Sequence, residues 1–219
     1  PGIFLVGWIA WQLLRERVPG LEFQAAAGLS LGEFTALSAA GAISFEDGLK
    51  VVRQRGRFMQ EACEATRGGM AAIIGLDETA TRQVCEEAGI ELANLNCPGQ
   101  LVISGAADKM ALACQLAQSK GAKKAIPLAV AGAYHSPLMS GAQPKLDAAL
   151  GAIAIQAPQA PVISNVTAEP HGSPEEIRRR ALNLLSQTGS VGYALGSGNS
   201  IPAYVPDDNY LAMTGAALD

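Results

Sequence analysis

The sequence predicts an α/β protein in which a small subdomain is inserted into a larger core. Hydrophobic residues make up 49% of the 219 residues and charged residues 16%, so a substantial core can form. An apolar run at 23–27, a glycine-flanked turn and a helical stretch at 31–40 form a strand, turn and helix unit. Residues 66–130 follow the order β-α-β-β-α-β, which is typical of the ferredoxin-like pattern.

The first predicted element is a helix that packs into the core. Apolar residues from Ile3 to Leu14 have helical spacing, and Pro19-Gly20 ends the helix. This run is too short to cross a bilayer and lacks the basic start of a signal peptide, so no membrane partner is expected. Because the first residue is Pro1 rather than Met, we expect the chain to begin inside a longer protein. After the strand, turn and helix unit, Ser44 is the predicted N-cap of a helix that Gly68-Gly69 breaks.

The inserted subdomain and the segments after it are predicted from local patterns. In the subdomain we expect strands at 70–74, 90–95, 100–104 and 124–128 and helices at 79–88 and 107–120. The core then resumes with a helix at 138–150, a strand at 161–165 and a helix at 173–185. Glycines and prolines crowd the chain after Gln187, so long regular elements are not expected there.

The stretch Gly28-Leu29-Ser30-Leu31-Gly32 lies between the first predicted strand and its helix. A G-x-S-x-G sequence in this context is typical of a nucleophile elbow, in which a strained turn presents the serine hydroxyl. The two glycines leave room for the turn and for close strand–helix packing. The amide of Leu31, at the helix start, is placed to donate to an oxyanion. The alternative is a small-residue turn without chemistry.

A nucleophilic serine needs a base, and the chain has two histidines. His171 lies in a turn sequence that predicts solvent exposure, whereas His135 lies in a loop after an apolar stretch and is the favoured base. No acidic residue stands out as a third member, so a Ser–His dyad oriented by a backbone carbonyl is one possibility. Arg55, among apolar residues, either forms an internal ion pair, which its spacing favours, or holds a carboxylate.

Charge and cysteine content exclude several functional classes. The net charge is −4 and the one basic cluster, Arg178-Arg179-Arg180, is interpreted as a solvated helix face, so nucleic acid is not an expected partner. The four cysteines show no C-x-x-C pairing, so we expect reduced, mostly buried thiols in a cytoplasmic protein, without a metal site.

Several motifs in order resemble one family, the malonyl-CoA:acyl-carrier-protein transacylases of fatty acid biosynthesis, and the related acyltransferase domains of polyketide synthases. The resemblance runs from residue 1 to about 187. Its motifs are Gly28-Leu29-Ser30-Leu31-Gly32-Glu33, Gln54-Arg55-Gly56, Gly69-Met70-Ala71-Ala72, Ala93-Asn94-Leu95-Asn96-Cys97-Pro98-Gly99-Gln100, Val102-Ile103-Ser104-Gly105, Gly132-Ala133-Tyr134-His135-Ser136-Pro137 and Ser164-Asn165-Val166-Thr167-Ala168.

The resemblance implies an α/β-hydrolase-like core at 1–65 plus 131–187, with the ferredoxin-like subdomain at 66–130. It implies that Ser30 takes a malonyl group from malonyl-CoA and transfers it to the phosphopantetheine thiol of acyl carrier protein. His135 would be the base, and the Leu31 amide would form half of the oxyanion hole. Arg55 would hold the malonyl carboxylate, which replaces the ion-pair interpretation. The remaining implied substrate-binding residues are Asn94, Asn96 and Asn165, and no cofactor is expected.

The chain departs from the family in three places. Leu29 stands where the family usually has His. The family's N-terminal strand and its Gly-Gln-Gly-x-Gln loop, which supplies an oxyanion donor, are absent. Residues 188–219 form an atypical tail, foreign or disordered, and residues 194–219 resemble the C-terminal end of uroporphyrinogen-decarboxylase-like proteins. The alternatives are therefore a polyketide synthase acyltransferase domain, a serine esterase or a catalytically impaired fragment.

Overall fold

The structure, a computed structural model, describes residues 1–186 of the chain. Three helices come first, a mixed segment of strands and helices follows, and two helices come last. The helices are α1 (Gly2–Arg17), α2 (Leu31–Ala39), α3 (Phe45–Ala65), α4 (Glu78–Ala88), α5 (Met110–Ser119), α6 (Gln143–Gly151) and α7 (Pro174–Ser186). The strands are β1 (Gly68–Ile74), β2 (Glu91–Cys97), β3 (Gln100–Ala106) and β4 (Lys124–Pro127), and two 3-10 turns span Ala107–Lys109 and Pro137–Ala142. The atypical tail lies outside the described residues.

Local sequence explains where these helices begin and end. Ser44 caps α3 as predicted, since its side chain accepts a hydrogen bond of 3.0 Å from the amide of Asp47. Asp77 caps α4 in the same way, with a 2.8 Å bond from the amide of Ala80. Gly89 ends α4 in the left-handed conformation that glycine adopts without a steric penalty.

The four strands form one antiparallel sheet in the order β2-β3-β1-β4. β1 and β3 pair along their full length, from Gly68 opposite Ala106 to Ile74 opposite Gln100. α4 and α5 cover one face and enclose a core that includes Ile73, Val84 and Ile103. The elements of residues 68–127 thus occur in the order predicted from the sequence.

A second hydrophobic core joins α1, α2, α3, α6 and α7 and includes Phe4, Phe34, Leu37 and Leu146. The predicted strands at 23–27 and 161–165 are wrong as regular strands. These segments meet in one parallel bridge, Ala26 opposite Val162, held by backbone hydrogen bonds of 2.8 and 2.9 Å. Within the described part, no further strand extends this pairing, so the ladder stops after one rung.

The prediction that the first helix packs into the core is correct only in part. Phe4 is fully buried and Trp8 and Trp11 are partly buried, but the aliphatic side chains of α1 are exposed, with 67% of Val6 and 52% of Ile3 accessible. Across residues 1–186, no helix combines the length and apolar character needed to span a membrane.

Candidate active site

Ser30 occupies a strained backbone position at the N-cap of α2. Its φ is 50° and its ψ is −99°, a conformation that non-glycine residues rarely adopt. Gly28 makes this turn possible, because a Cβ on Gly28 would collide with the backbone carbonyl of Gly32 and lie 2.8 Å from the amide of Glu33. A Cβ on Gly32 would meet no atom within 4 Å, so the steric requirement falls on Gly28 alone.

The two polar groups of Ser30 have different partners. Its amide donates a 2.8 Å hydrogen bond to Oδ1 of Asn165, and its Oγ accepts a 2.8 Å hydrogen bond from Nη2 of Arg55. Leu31 is the first residue of α2, where backbone amides have no partner within the helix. The hydroxyl therefore lies beside a cation and a helix N-terminus, both of which stabilise negative charge.

Arg55 reaches the site from the buried side of α3. The residue is 5% exposed, and its Cζ lies 5.9 Å from the ring centre of Phe34. Burial lowers the pKa of Arg55 from its ordinary value to about 10, while the nearby charge of Glu33 acts in the opposite direction. The guanidinium therefore stays charged at neutral pH. Among the described residues it forms no ion pair within salt-bridge distance, so a carboxylate of a ligand can take that place.

His135 lies on the segment 131–136, which is clamped between α3 and β1. A Cβ on Gly132 would lie 2.5 Å from Sγ of Cys63, and a Cβ on Gly68 would collide with Ala133, so both glycines permit close contact. His135 is 6% exposed and has a φ of 56°. The segment thus lies against the helix that carries Arg55, and the pairing of His135 with Ser30 stays a prediction.

The three predicted asparagines are placed differently. Asn94 and Asn96 lie half-buried on the edge strand β2, whose Ala93 packs near Tyr134 of the His135 segment. Asn165 instead contacts the elbow directly, since its side chain holds the Ser30 amide and donates to the carbonyl of Gly28 at 2.5 Å. Substrate binding by these residues stays a prediction.

Two functional candidates, Glu33 and His171, were missed in the sequence. The expectation of a solvent-exposed His171 is wrong, because the residue is 5% exposed and its Nε2 lies 2.9 Å from Oε1 of Glu33. Glu33 is 1% exposed and also accepts hydrogen bonds from the backbone and side chain of Asn165. The available signal was a lone acidic residue in the first turn of an otherwise apolar helix.

The arginine cluster is also not uniformly solvated as predicted. Arg180 is 7% exposed and donates to the carbonyls of Pro170 and Glu169 at 2.9 and 3.4 Å. It thereby fixes the segment next to His171. The four cysteines are free thiols, and burial raises the pKa of Cys85 to about 12.

Several known proteins are similar to this chain in sequence, and solved structures are similar to it in fold. The malonyl CoA-acyl carrier protein transacylase of Bacillus subtilis is 50% identical over 164 residues, covering 73% of this chain and 52% of that protein. The polyketide biosynthesis protein ThaF of Burkholderia thailandensis is 42% identical over 182 residues, covering 82% of this chain and 15% of that protein. A solved malonyl-transacylase, in complex with a type II polyketide synthase acyl carrier protein, has a TM-score of 0.77 and 36% identity, covering 85% of this chain and 60% of that chain.

The chain spans about half the length of the Bacillus subtilis relative. The comparisons do not bear out the resemblance of residues 194–219 to uroporphyrinogen-decarboxylase-like proteins. The model of the acyl transferase domain matches residues 1–190, which is most of the sequence and includes every residue of the elbow. On this match, the chain belongs to the acyl transferase domain family.

Proposed function

We propose that this chain carries out malonyl transfer from malonyl-CoA to acyl carrier protein through a malonyl-Ser30 intermediate, as part of fatty acid biosynthesis. The observation that carries the proposal is the 2.8 Å contact between Nη2 of Arg55 and Oγ of Ser30. A malonyl group esterified to Oγ places its free carboxylate two carbons beyond the oxygen, within reach of this guanidinium. An arginine binds such a carboxylate through two parallel hydrogen bonds.

The chemistry consists of two balanced acyl transfers. Oγ of Ser30 attacks the thioester carbonyl while His135 takes its proton, and the C–S bond breaks as coenzyme A leaves with that proton. The thiol of the carrier protein then attacks the ester, the C–O bond breaks, and Ser30 regains its proton through His135. The Leu31 amide donates to the oxyanion in both steps, while the Ser30 amide is already engaged by Asn165.

The arrangement of the chain supports the finer fold assignment that we propose. Residues 66–130 form the ferredoxin-like subdomain, on the basis of the sheet order β2-β3-β1-β4. Residues 1–65 and the described part of 131–187, which ends at residue 186, form the α/β-hydrolase-like core, on the basis of the elbow and the parallel bridge between Ala26 and Val162. The free thiols fit a cytoplasmic protein.

A second candidate is an acyltransferase domain of a polyketide synthase. The likeness to ThaF favours it, because this chain matches only 15% of that protein. A serine esterase is disfavoured, since a buried, charged Arg55 beside the nucleophile would be left unpaired by a simple ester.

The first test is the intact mass of the chain after incubation with malonyl-CoA, with Ser30→Ala and acetyl-CoA as controls. We expect a stoichiometric malonyl adduct that is absent in Ser30→Ala, is weak with acetyl-CoA, and is discharged by the phosphopantetheine form of acyl carrier protein. A folded wild-type chain without an adduct would overturn the proposed activity. Equal labelling by malonyl-CoA and acetyl-CoA would overturn the assignment of Arg55.

A further inference from the structure

We propose that three buried side chains, His171, Glu33 and Asn165, form a relay that positions the backbone of Ser30. The relay consists of consecutive hydrogen bonds from His171 to Glu33, from Asn165 to Glu33 and from Ser30 to Asn165. These residues act through one another and are positioning residues, not catalytic ones. The effect on acyl transfer rests on the function proposed above, whereas the effect on the Ser30 backbone does not.

Asn165 is the direct partner of the elbow. Its Oδ1 accepts the Ser30 amide at 2.8 Å, and its Nδ2 donates to the carbonyl of Gly28 at 2.5 Å and to Oε2 of Glu33 at 2.7 Å. One carboxamide thus binds the residues on both sides of the turn. This matters because Ser30 has a positive φ, a strain that persists only where surrounding contacts fix it.

Glu33 determines which way this carboxamide faces. In the observed orientation the NH2 group meets a carboxylate and a carbonyl, and the oxygen meets an N–H. A rotation by 180° would set the oxygen against the carboxylate of Glu33 and the NH2 group against the Ser30 amide. Both contacts would be repulsive, so the charge of Glu33 selects the orientation that holds Ser30.

His171 supports Glu33 from the other side. The carboxylate is 1% exposed, so each of its oxygens needs a donor. Oε2 receives two 2.7 Å bonds from Asn165, through the backbone amide and Nδ2, and Oε1 lies 2.9 Å from Nε2 of His171. An acceptor carboxylate requires the proton on Nε2, and Nδ1 of His171 has no hydrogen-bond partner among residues 1–186.

The backbone between the two residues explains why they converge on one carboxylate. The chain turns back at 164–169, with a 3.0 Å bond from the amide of Ser164 to the carbonyl of Glu169. Ile163 and Pro170 form an antiparallel bridge, and the amide of His171 donates to Val162 at 2.9 Å. Asn165 and His171 are therefore on opposite limbs of a closed loop, and Glu33 joins the limbs to the elbow.

The test uses the full chain with four relay variants and one control. Asn165→Asp keeps an acceptor for Ser30 but loses the donors and faces Glu33 with a second carboxylate, while Asn165→Ala removes all three contacts. His171→Phe keeps a ring and loses the donor, while His171→Gln restores a donor near the position of Nε2. Ser104→Ala is the control, since Ser104 is fully buried in β3, far along the chain from the relay, and its hydroxyl has no partner among the described residues.

Two quantities are measured on folded protein: amide hydrogen exchange at Ser30, and single-turnover acylation by malonyl-CoA as a rate constant and a half-saturation concentration. We expect both Asn165 variants to speed Ser30 exchange and to lower the acylation rate constant about 10- to 100-fold. The half-saturation concentration of malonyl-CoA should change less than about twofold, because Arg55 still holds the malonyl carboxylate. His171→Phe should also speed Ser30 exchange and should lower the acylation rate constant about fivefold, and His171→Gln should restore most of that loss.

The outcomes separate this proposal from its alternatives. Ser30 exchange in Asn165→Asp and His171→Phe equal to that in Ser104→Ala would overturn the relay. If the Asn165 variants raise the half-saturation concentration of malonyl-CoA and leave the acylation rate constant unchanged, Asn165 binds substrate instead of positioning Ser30. If His171→Phe keeps the wild-type Ser30 exchange and acylation rate constant, the ring contributes packing only and His171 is not part of the relay. A wild-type chain that forms no adduct contradicts the proposed function, and Ser30 exchange then still decides the relay.

Discussion

In the sheet region, residues 68–127, continuous pairing holds the backbone in place. In the elbow region, residues 23–65 and 131–186, a hydrophobic core joins the helices, but the backbone around Ser30 is held by single bridges and buried polar side chains. In the sheet region, β1 and β3 share seven aligned residue pairs. In the elbow region, Ala26 and Val162 share one bridge, and Glu33, Asn165 and His171 connect the surrounding segments to the Ser30 backbone.

The two kinds of contact differ in how much they depend on the identity of each side chain. Backbone ladders tolerate many side chains, because the hydrogen bonds do not depend on residue identity. A turn held by one glycine and a few buried polar groups tolerates few changes, since an unsatisfied buried group costs about 1–3 kcal/mol. We therefore expect substitutions around Ser30 to impair acyl transfer, with a loss of stability where they also strain the backbone. Substitutions in the sheet region should lower stability but leave acyl transfer by the folded protein nearly unchanged.

The largest effect is expected for Gly28→Ala. The new Cβ would collide with the backbone of Gly32, which cannot move without breaking the start of α2. We expect a loss of unfolding free energy of more than about 4 kcal/mol, or no folded protein, and no acylation of Ser30. Thermal unfolding and intact mass measure both effects.

Gly32→Ala is the matched control, because its Cβ would meet no atom within 4 Å and the position is helical. We expect unchanged or slightly higher stability, by up to about 1 kcal/mol, from the better helix propensity of alanine. Equal damage from the two substitutions would contradict the assignment of the steric requirement to Gly28.

The next largest effect belongs to the sheet region. Ile103 is fully buried in β3 beneath α4 and α5, so Ile103→Ala should lower the unfolding free energy by about 2–5 kcal/mol through a cavity. At a temperature where the variant is folded, the rate constant for Ser30 acylation should stay within about twofold of wild type. A large loss of this rate constant would contradict the separation of the two regions.

The sequence was most informative where structure depends on near neighbours. The elements of residues 68–127 were predicted within a few residues, because turn glycines, caps and alternating apolar residues act locally. Ser30 was identified from its glycine-flanked turn, whereas Arg55 was assigned only through the family resemblance, because its spacing favoured an internal ion pair. The structure places the two side chains in contact, although 25 positions separate them.

The errors fall where distant segments decide the outcome. A turn composition around His171 predicted exposure, but its partner Glu33 is 138 positions away and α7 closes over the loop through Arg180. Likewise, the apolar run at 23–27 has the composition of a strand, yet a strand forms only where a neighbouring segment pairs with it over several residues, and here the pairing is limited to Ala26 and Val162. Neither outcome is encoded within a short window.

A smaller effect is expected where the His135 segment approaches α3. In Gly132→Ala, the new Cβ would lie 2.5 Å from Sγ and 3.0 Å from Cβ of Cys63. We expect a loss of about 1–3 kcal/mol in unfolding free energy and slower acylation, because the segment that carries His135 is displaced. The double variant with Cys63→Ala removes the closer contact and should recover part of both losses, whereas additive losses would show that the two residues do not interact.

The smallest effect concerns the buried charge of Arg55 and is seen only at high pH. Burial lowers the pKa of Arg55 to about 10, well below its ordinary value, so at pH values just above 10 the folded chain releases this proton while the unfolded chain still holds it. Stability contributed by the residue therefore rises with pH through this window.

Between pH 9 and 11, wild type should gain about 1 kcal/mol in unfolding free energy relative to Arg55→Met, which has no such group to titrate. The comparison cancels the lysines and tyrosines common to both proteins, and chemical denaturation at each pH measures it. If the difference in unfolding free energy between the two proteins stays constant from pH 9 to 11, the guanidinium keeps its proton in the folded site. The contact with Ser30 would then stabilise the charged form of Arg55 in addition to the charge of Glu33.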